Sequence, residues 1–204
     1  MLIVGLTGGI ATGKSSIAAM FERRGAHVID FDVLARVVVE PGKPAWNDIV
    51  DFFGSSVLNE DRTLNRAKVG DIVFADKGKR RALEGFIYPR ISEEYARLLG
   101  EINDGDPDAI VLADVPLLIE TGMKGLFEKI IVVYAPREQQ MERLIHRDGL
   151  DREAAMRRLE AQMPIEDKLK HADYVVRNSG SLEEAEIEVD GIYKSLLELR
   201  NERK

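Results

Sequence analysis

The 204-residue chain has no cysteine, which excludes disulfides, thiol nucleophiles and thiolate metal sites. Its three histidines, His27, His146 and His171, are scattered without ligand spacing, and each is expected at the surface or at a boundary. No apolar run approaches the roughly 20 residues of a membrane-spanning helix, so no membrane partner is expected. Positive charge is in deficit: 29 Lys and Arg against 36 Asp and Glu give a net charge of -7. That balance argues against a nucleic-acid-coating surface and leaves room only for a local basic pocket. Repeats and low-complexity segments are absent. The first strand pattern begins within two residues, without a basic n-region, h-region and small-residue cleavage site, so the cytoplasm is the expected location. The length allows one ordinary core with a small appendage, as a monomer or weak homo-oligomer.

What is present is an alternation. The β-rich runs LIVGLT (2–7), HVIDFD (27–32), AIVLADV (109–115), KIIVVYA (129–135) and YVVRN (174–178) are separated by helical patterns. This predicts an α/β fold with a five-stranded parallel sheet flanked by helices. The near-continuous apolar character of three runs fits strands covered on both faces. After Ser15, the residues Ile17, Met20 and Phe21 form a helical stripe that Gly25 ends. The interval 41–108 breaks the rhythm and reads as a helical insertion, leaving 1–40 and 109–204 as the core. Two further helices, divided by Asp148-Gly149, span about 138–163, with Asp151 as N-cap and Pro164 as the end of the second. A last helix starts after Ser181, with Ile187, Ile192, Leu196 and Leu199 predicted to face the core.

Between the first strand and the first helix stands Gly8-Gly9-Ile10-Ala11-Thr12-Gly13-Lys14-Ser15, which is G-x-x-x-x-G-K-S. Its glycines let successive backbone N–H groups turn toward phosphate oxygens, and the helix N-terminus adds partial positive charge. Lys14 is then placed to bridge the β- and γ-phosphates, and the Ser15 hydroxyl to ligate Mg²⁺. Gly9, Ile10, Ala11, Thr12, Gly13, Lys14, Ser15 and Ser16 thus form the expected ATP-binding set. A glycine turn that merely joins two elements is the alternative. Asp114 closes the third strand run, where the Mg²⁺-associated acid of such folds is presented; an acid capping the next turn is the other reading.

Asp30 and Asp32 end the second run, and residues two apart in an extended chain share a side. One of them could serve the metal or accept a proton from an attacking hydroxyl; alternatively the pair caps a helix starting near Val33. Arg143 and Arg147 lie four apart on one helix, as lid arginines over transferring phosphate or as a solvated face paired with Glu138, Glu142 and Glu153. No guanine-reading Asn-Lys-x-Asp and no LSGGQ-like signature occurs, and Asp51-Phe-Phe-Gly54 falls inside the insertion. A small-molecule kinase or an ATP-dependent switch remains, and paired aspartates with a lid favour the kinase.

The chain also resembles the dephospho-coenzyme A kinase family. The residues carrying the likeness are GLTGGIATGKS (5–15), VIDFDVLAR (28–36), GSSVLNEDRTLNRAKVGDIVF (54–74), DVPLLIETG (114–122), RLIHRDGL (143–150) and QMPIEDKLKHADYVVRNSGS (162–181). The phosphate loop is shared with many families; the other stretches are more discriminating. The resemblance implies transfer of the ATP γ-phosphate to the ribose 3′-hydroxyl of dephospho-CoA, giving CoA and ADP. It implies Asp32 as base, Arg36 on the acceptor side, Arg143 and Arg147 as lid arginines, and Asn178 beside the adenine. Pro116 and Leu117 match the family's stretch after the third strand, and the insertion matches its acceptor-binding domain. Tyr88-Pro89 stands where the family usually has His-Pro. A hydrogen-bonding role survives that change, whereas an acid–base or charged one does not.

Weaker candidates complete the list. Trp46 is either packing or a contact to the acceptor. Arg66 and Lys68 are either solvated or near acceptor phosphates. Lys168 is either a matched family position or a helix-surface charge.

Overall fold

A computed structural model describes residues 1–203. Five parallel strands, β1 (Leu2–Gly8), β2 (His27–Asp30), β3 (Ile110–Asp114), β4 (Lys129–Tyr134) and β5 (Tyr174–Arg177), form one sheet in the order β2-β3-β1-β4-β5. The helices are α1 (Lys14–Glu22), α2 (Phe31–Val37), α3 (Pro44–Phe53), α4 (Arg66–Ala75), α5 (Lys77–Gly105), α6 (Arg137–Asp148), α7 (Arg152–Glu160), α8 (Ile165–Leu169) and α9 (Leu182–Asn201).

The sheet explains its own sequence pattern. All five residues of β3 are buried, and β1 and β4 are buried nearly throughout, as strands with helices on both faces must be. Leu2, Val4, Leu6, Ile110, Leu112, Ile131 and Val133 join Ile17, Phe21, Val189 and Leu196 in the main core cluster. The chain runs from β1 to β2 and β3 on one side and then crosses to β4 and β5 on the other, so the strand order reverses beside β1. The crevice outside the carboxyl end of β1 is therefore where such a fold binds ligands.

Three expectations need correction. The second strand stops at Asp30, because helix α2 begins at Phe31; Asp32 lies in the first helical turn, so the extended geometry invoked for the Asp30–Asp32 pair does not exist. In α9 the buried residues are Ala185, Val189, Ile192 and Leu196, spaced four, three and four apart, whereas Ile187 is 66% exposed. Two residues beyond Ala185 is roughly 200° around a helix, so Ile187 faces away from the core. Leu199 packs against the cluster as expected. Helix α7 ends at Glu160, and Pro164 instead precedes the short α8.

Helix α9 opens with a full capping box: Glu184 N–H donates to the Ser181 hydroxyl at 3.2 Å, and Ser181 N–H donates to the Glu184 carboxylate at 2.8 Å. Asp151 caps α7 by accepting from Ala154 N–H at 2.7 Å.

The chain divides into two compact units, Met1–Asp30 with Ile102–Lys204, and Phe31–Glu101. The second unit and the insertion expected over 41–108 differ at both ends. The second unit begins earlier because Val38 and Val39, just past α2, pack into its own cluster with Ala45, Ile49, Val57 and Val69. Among the described residues no helix is long and apolar enough to cross a membrane.

Candidate active site

The phosphate loop links β1 to α1 and closes on itself. Thr12 hydroxyl donates to Gly9 O at 2.9 Å, and Ser16 N–H donates to Gly13 O at 3.0 Å. Gly13, the N-cap of α1, has φ 86°, and Ala11 has φ 59°. Glycine has no side chain to cap a helix, and no acidic residue stands in the first turn. The N–H groups of Lys14 and Ser15, and the positive end of the α1 dipole, suit an anion. Ser15 and Ser16 are exposed on that turn.

Asp114, only 2% exposed, ends β3 and lies in register with Leu6 of β1 and Asp30 of β2. Its carboxylate accepts a hydrogen bond from the Lys14 ammonium in a shielded ion pair. The Ser15 hydroxyl and Asp114 carboxylate are hard oxygen donors. Such donors suit a Mg²⁺ ion. Among the described residues no group of three or more His, Cys, Asp or Glu side chains could hold a metal alone.

Arg143 and Arg147 share a helix but have different surroundings. The Arg143 guanidinium donates to Ala11 O at 3.3 Å, Thr12 O at 3.2 Å and Asn178 O at 2.7 Å, tying α6 to the phosphate loop and to the residue after β5. Arg147 is exposed and pairs with Asp148 at 2.7 Å, and Arg158 pairs with the same carboxylate at 2.7 Å. The hydrogen bond from Arg147 holds the Asp148 carboxyl below its ordinary pKa. Neither arginine pairs with Glu138, Glu142 or Glu153; Glu153 takes Arg157 instead.

Asn178, 8% exposed, donates its side-chain amide to Thr12 O at 2.8 Å, and its backbone N–H donates to Tyr134 O at 2.8 Å. Pro116 is half-buried, with its carbonyl turned inward to accept from the Thr7 hydroxyl at 3.1 Å; Leu117 is 42% exposed. Helices α6 and α7 share a small core, Met141, Leu144 and Ala155, against which Ile10 and Ala11 of the loop also pack.

In the second unit, Asp32 and Arg36 are exposed on α2, four residues apart and so on one face. Tyr88 is 55% exposed, and burial, with Glu84 nearby, raises its phenol pKa, so it is a neutral hydrogen-bonding group at pH 7. Trp46 is packing: it is 5% exposed, donates Nε1–H to Arg62 O at 2.9 Å, and carries the Arg62 guanidinium 5.2 Å above its ring. An apolar hollow of about 260 Å³ is lined by Val39, Leu64, Val69, Val73 and Ile87, with Arg66 among its wall residues.

The sequence offers Lys168 only as a matched family position or a helix-surface charge, and assigns no contact to Gln162 or Glu120. Lys168 is fully buried, not a helix-surface charge, and its ammonium contacts Gly8 O, Pro116 O and Glu120. Gln162 Oε1 accepts from Ile10 N–H at 2.9 Å. Only the spacing Gln162, Pro164, Lys168 signalled them.

A family model described as dephospho-CoA kinase matches residues 2–184. A dephospho-CoA kinase of Syntrophus aciditrophicus is 48% identical over 197 residues, covering 97% of this chain and 84% of that protein. The Bacillus cereus dephospho-CoA kinase is 41% identical, covering 95% and 96%. Among solved structures, TT1252 from Thermus thermophilus has TM-score 0.81 at 34% identity, covering 96% of this chain and 97% of that one. A dephospho-CoA kinase from Campylobacter jejuni has TM-score 0.71 at 28% identity, covering 96% and 97%.

Proposed function

The chain belongs to the dephospho-CoA kinase family, and from that premise we propose how its residues divide the work of moving the ATP γ-phosphate to the ribose 3′-hydroxyl of dephospho-CoA. The reaction is the ATP-dependent phosphorylation that completes coenzyme A synthesis, with CoA and ADP as products. The observation carrying the division of roles is the Lys14–Asp114 pair beside the uncapped start of α1.

In this reading the loop from Gly9 to Ser16 holds the β- and γ-phosphates through those of its N–H groups that are not taken by Gln162, Gly9 or Gly13. Lys14 moves its ammonium from Asp114 to the phosphate oxygens as nucleotide enters. Ser15 and Asp114 hold Mg²⁺, which supplies neutralisation of charge on the phosphates. Asp32 receives the proton of the acceptor hydroxyl, and Arg36 and Tyr88 orient the acceptor. The apolar hollow of the second unit suits the pantetheine arm, with Arg66 toward its phosphates. Arg147 meets charge developing on the transferring group, while Arg143 and Asn178 keep the loop in shape beside the adenine. Positioning and electrostatics supply the rate, because phosphoryl transfer asks for no covalent step from the protein. The protein acts in the cytoplasm as a monomer or weak homo-oligomer, without nucleic-acid or membrane partners.

The test is ADP release with Mg-ATP and no acceptor, dephospho-CoA, AMP, CMP or adenosine, with mass spectrometry of the product. Acceleration by dephospho-CoA alone, with a mass gain of one phosphoryl group, is expected. Acceleration by AMP, CMP or adenosine instead would make the chain a nucleotide or nucleoside kinase. ATP binding without acceptor-dependent turnover would make it a switch.

A further inference from the structure

We infer that Lys168 is a positioning residue for phosphoryl transfer: its ammonium fixes the phosphate loop and the turn carrying Asp114 to a single point. The inference rests on the kinase reading above and extends it to a residue that touches neither substrate.

Lys168 sits on α8, a five-residue helix whose length and polarity suit the surface, yet its side chain is 0% exposed. Burying an ammonium is costly unless each of its donors is met, and a well-packed apolar residue commonly serves stability as well. An ammonium has three N–H donors. Three acceptors surround this one: Gly8 O at 3.3 Å, Pro116 O at 3.0 Å and Glu120 Oε1 at 2.9 Å. Gly8 begins the G-x-x-x-x-G-K-S loop. Pro116 follows Asp114 by two residues, and its carbonyl also accepts from Thr7 of β1.

The surrounding segment repeats the arrangement. Gln162 accepts from Ile10 N–H inside the loop, and Met163 N–H donates to Glu120 at 3.2 Å. Residues 162–168 thus form a strut touching the loop at Gly8 and Ile10 and the post-β3 segment at Pro116 and Glu120. No apolar side chain at 168 could hold two carbonyls and a carboxylate together. The strut sets the separation between the loop that takes phosphate and the acid that takes Mg²⁺.

The test uses the full-length enzyme with Lys168→Met, and with Glu120→Gln as a milder variant that removes one acceptor's charge. Calorimetry measures Mg-ATP affinity without acceptor, and steady-state kinetics give kcat, KM for each substrate and the Mg²⁺ concentration for half-maximal rate. Lys168→Met is expected to lower kcat by about 10- to 100-fold, the order of cost of a ~1 Å misplacement. Mg-ATP affinity should weaken and the Mg²⁺ requirement rise, while KM for dephospho-CoA stays unchanged. Glu120→Gln should move the same quantities less. A Lys168→Met enzyme with parental kcat, Mg-ATP affinity and Mg²⁺ requirement overturns the inference, whatever its melting temperature. If Lys168→Met does not fold, parental values in Glu120→Gln overturn it. A parent protein that does not phosphorylate dephospho-CoA removes the kinase reading, and the calorimetric comparison still decides the role of Lys168.

Discussion

The side-chain amide of Asn178 donates to the carbonyl of Thr12 at 2.8 Å, directly against the face of Gly13. A Cβ on Gly13 would collide with that amide, and φ 86° there is left-handed backbone that side chains avoid at a cost of roughly 1–2 kcal/mol. Gly13→Ala should therefore lower thermal stability and weaken Mg-ATP binding in calorimetry. Adding Asn178→Ala removes the collision but not the backbone strain, so the double variant should recover only part of the loss.

Arg143 and Arg147 should separate in experiment. Arg143 braces three backbone carbonyls from half-buried positions, so Arg143→Met should lower the melting temperature and weaken nucleotide binding. Lysine should not replace it, because the three carbonyls are met by two separate nitrogens of the planar guanidinium, Nη1 and Nη2, whereas an ammonium offers one. Arg147 is exposed beside Asp148, so Arg147→Met should leave the melting temperature unchanged while kcat falls by about 10²-fold or more, the scale of losing one preorganised transition-state donor. Melting curves and kcat for both variants check this.

Removing Asp114 takes the carboxylate partner from the Lys14 ammonium in a shielded position. Asp114→Ala is expected to cost about 3–5 kcal/mol in chemical denaturation, the range for breaking a buried pair. Both Lys14→Met and Asp114→Asn should abolish measurable turnover. Chelation of divalent cations should do the same in the parent enzyme, with recovery on adding Mg²⁺.

Much of this was legible beforehand because the signals were local. A glycine loop between an apolar run and a helical stripe needs no long-range knowledge, and neither does an acid at the end of a buried strand. What stayed hidden depends on tertiary placement. Composition cannot say that the lysine of a short polar helix lies under the loop, as Lys168 does, or that Arg143 turns inward while Arg147 faces water. The start of α2 at Phe31 was hidden because HVIDFD reads as one extended run. The exposure of Ile187 was missed for a simpler reason: its spacing from Val189 and Ile192 does not fit the buried stripe.

In the second unit, burial pushes the Tyr95 phenol up to about 12, and its hydroxyl has no hydrogen-bond partner among the described residues. An unfolded tyrosine loses its proton near 10.0, so between those values the native state binds more protons than the unfolded state. Stability present below pH 10 should therefore fall as pH rises toward 12. Tyr95→Phe should flatten that decline and stabilise the protein by about 1 kcal/mol, by deleting an unmet buried hydroxyl. Denaturant titrations across alkaline pH check both statements.

Asp32, exposed in the first turn of α2, is the group proposed to take the acceptor proton. The most direct measurement is the kcat of Asp32→Asn with saturating Mg-ATP and dephospho-CoA, alongside its calorimetric affinity for Mg-ATP. The prediction is a loss of about 10²- to 10⁴-fold in kcat, the usual contribution of a general base, with nucleotide affinity unchanged. An Asp32→Asn enzyme that turns over at the parental rate would contradict it.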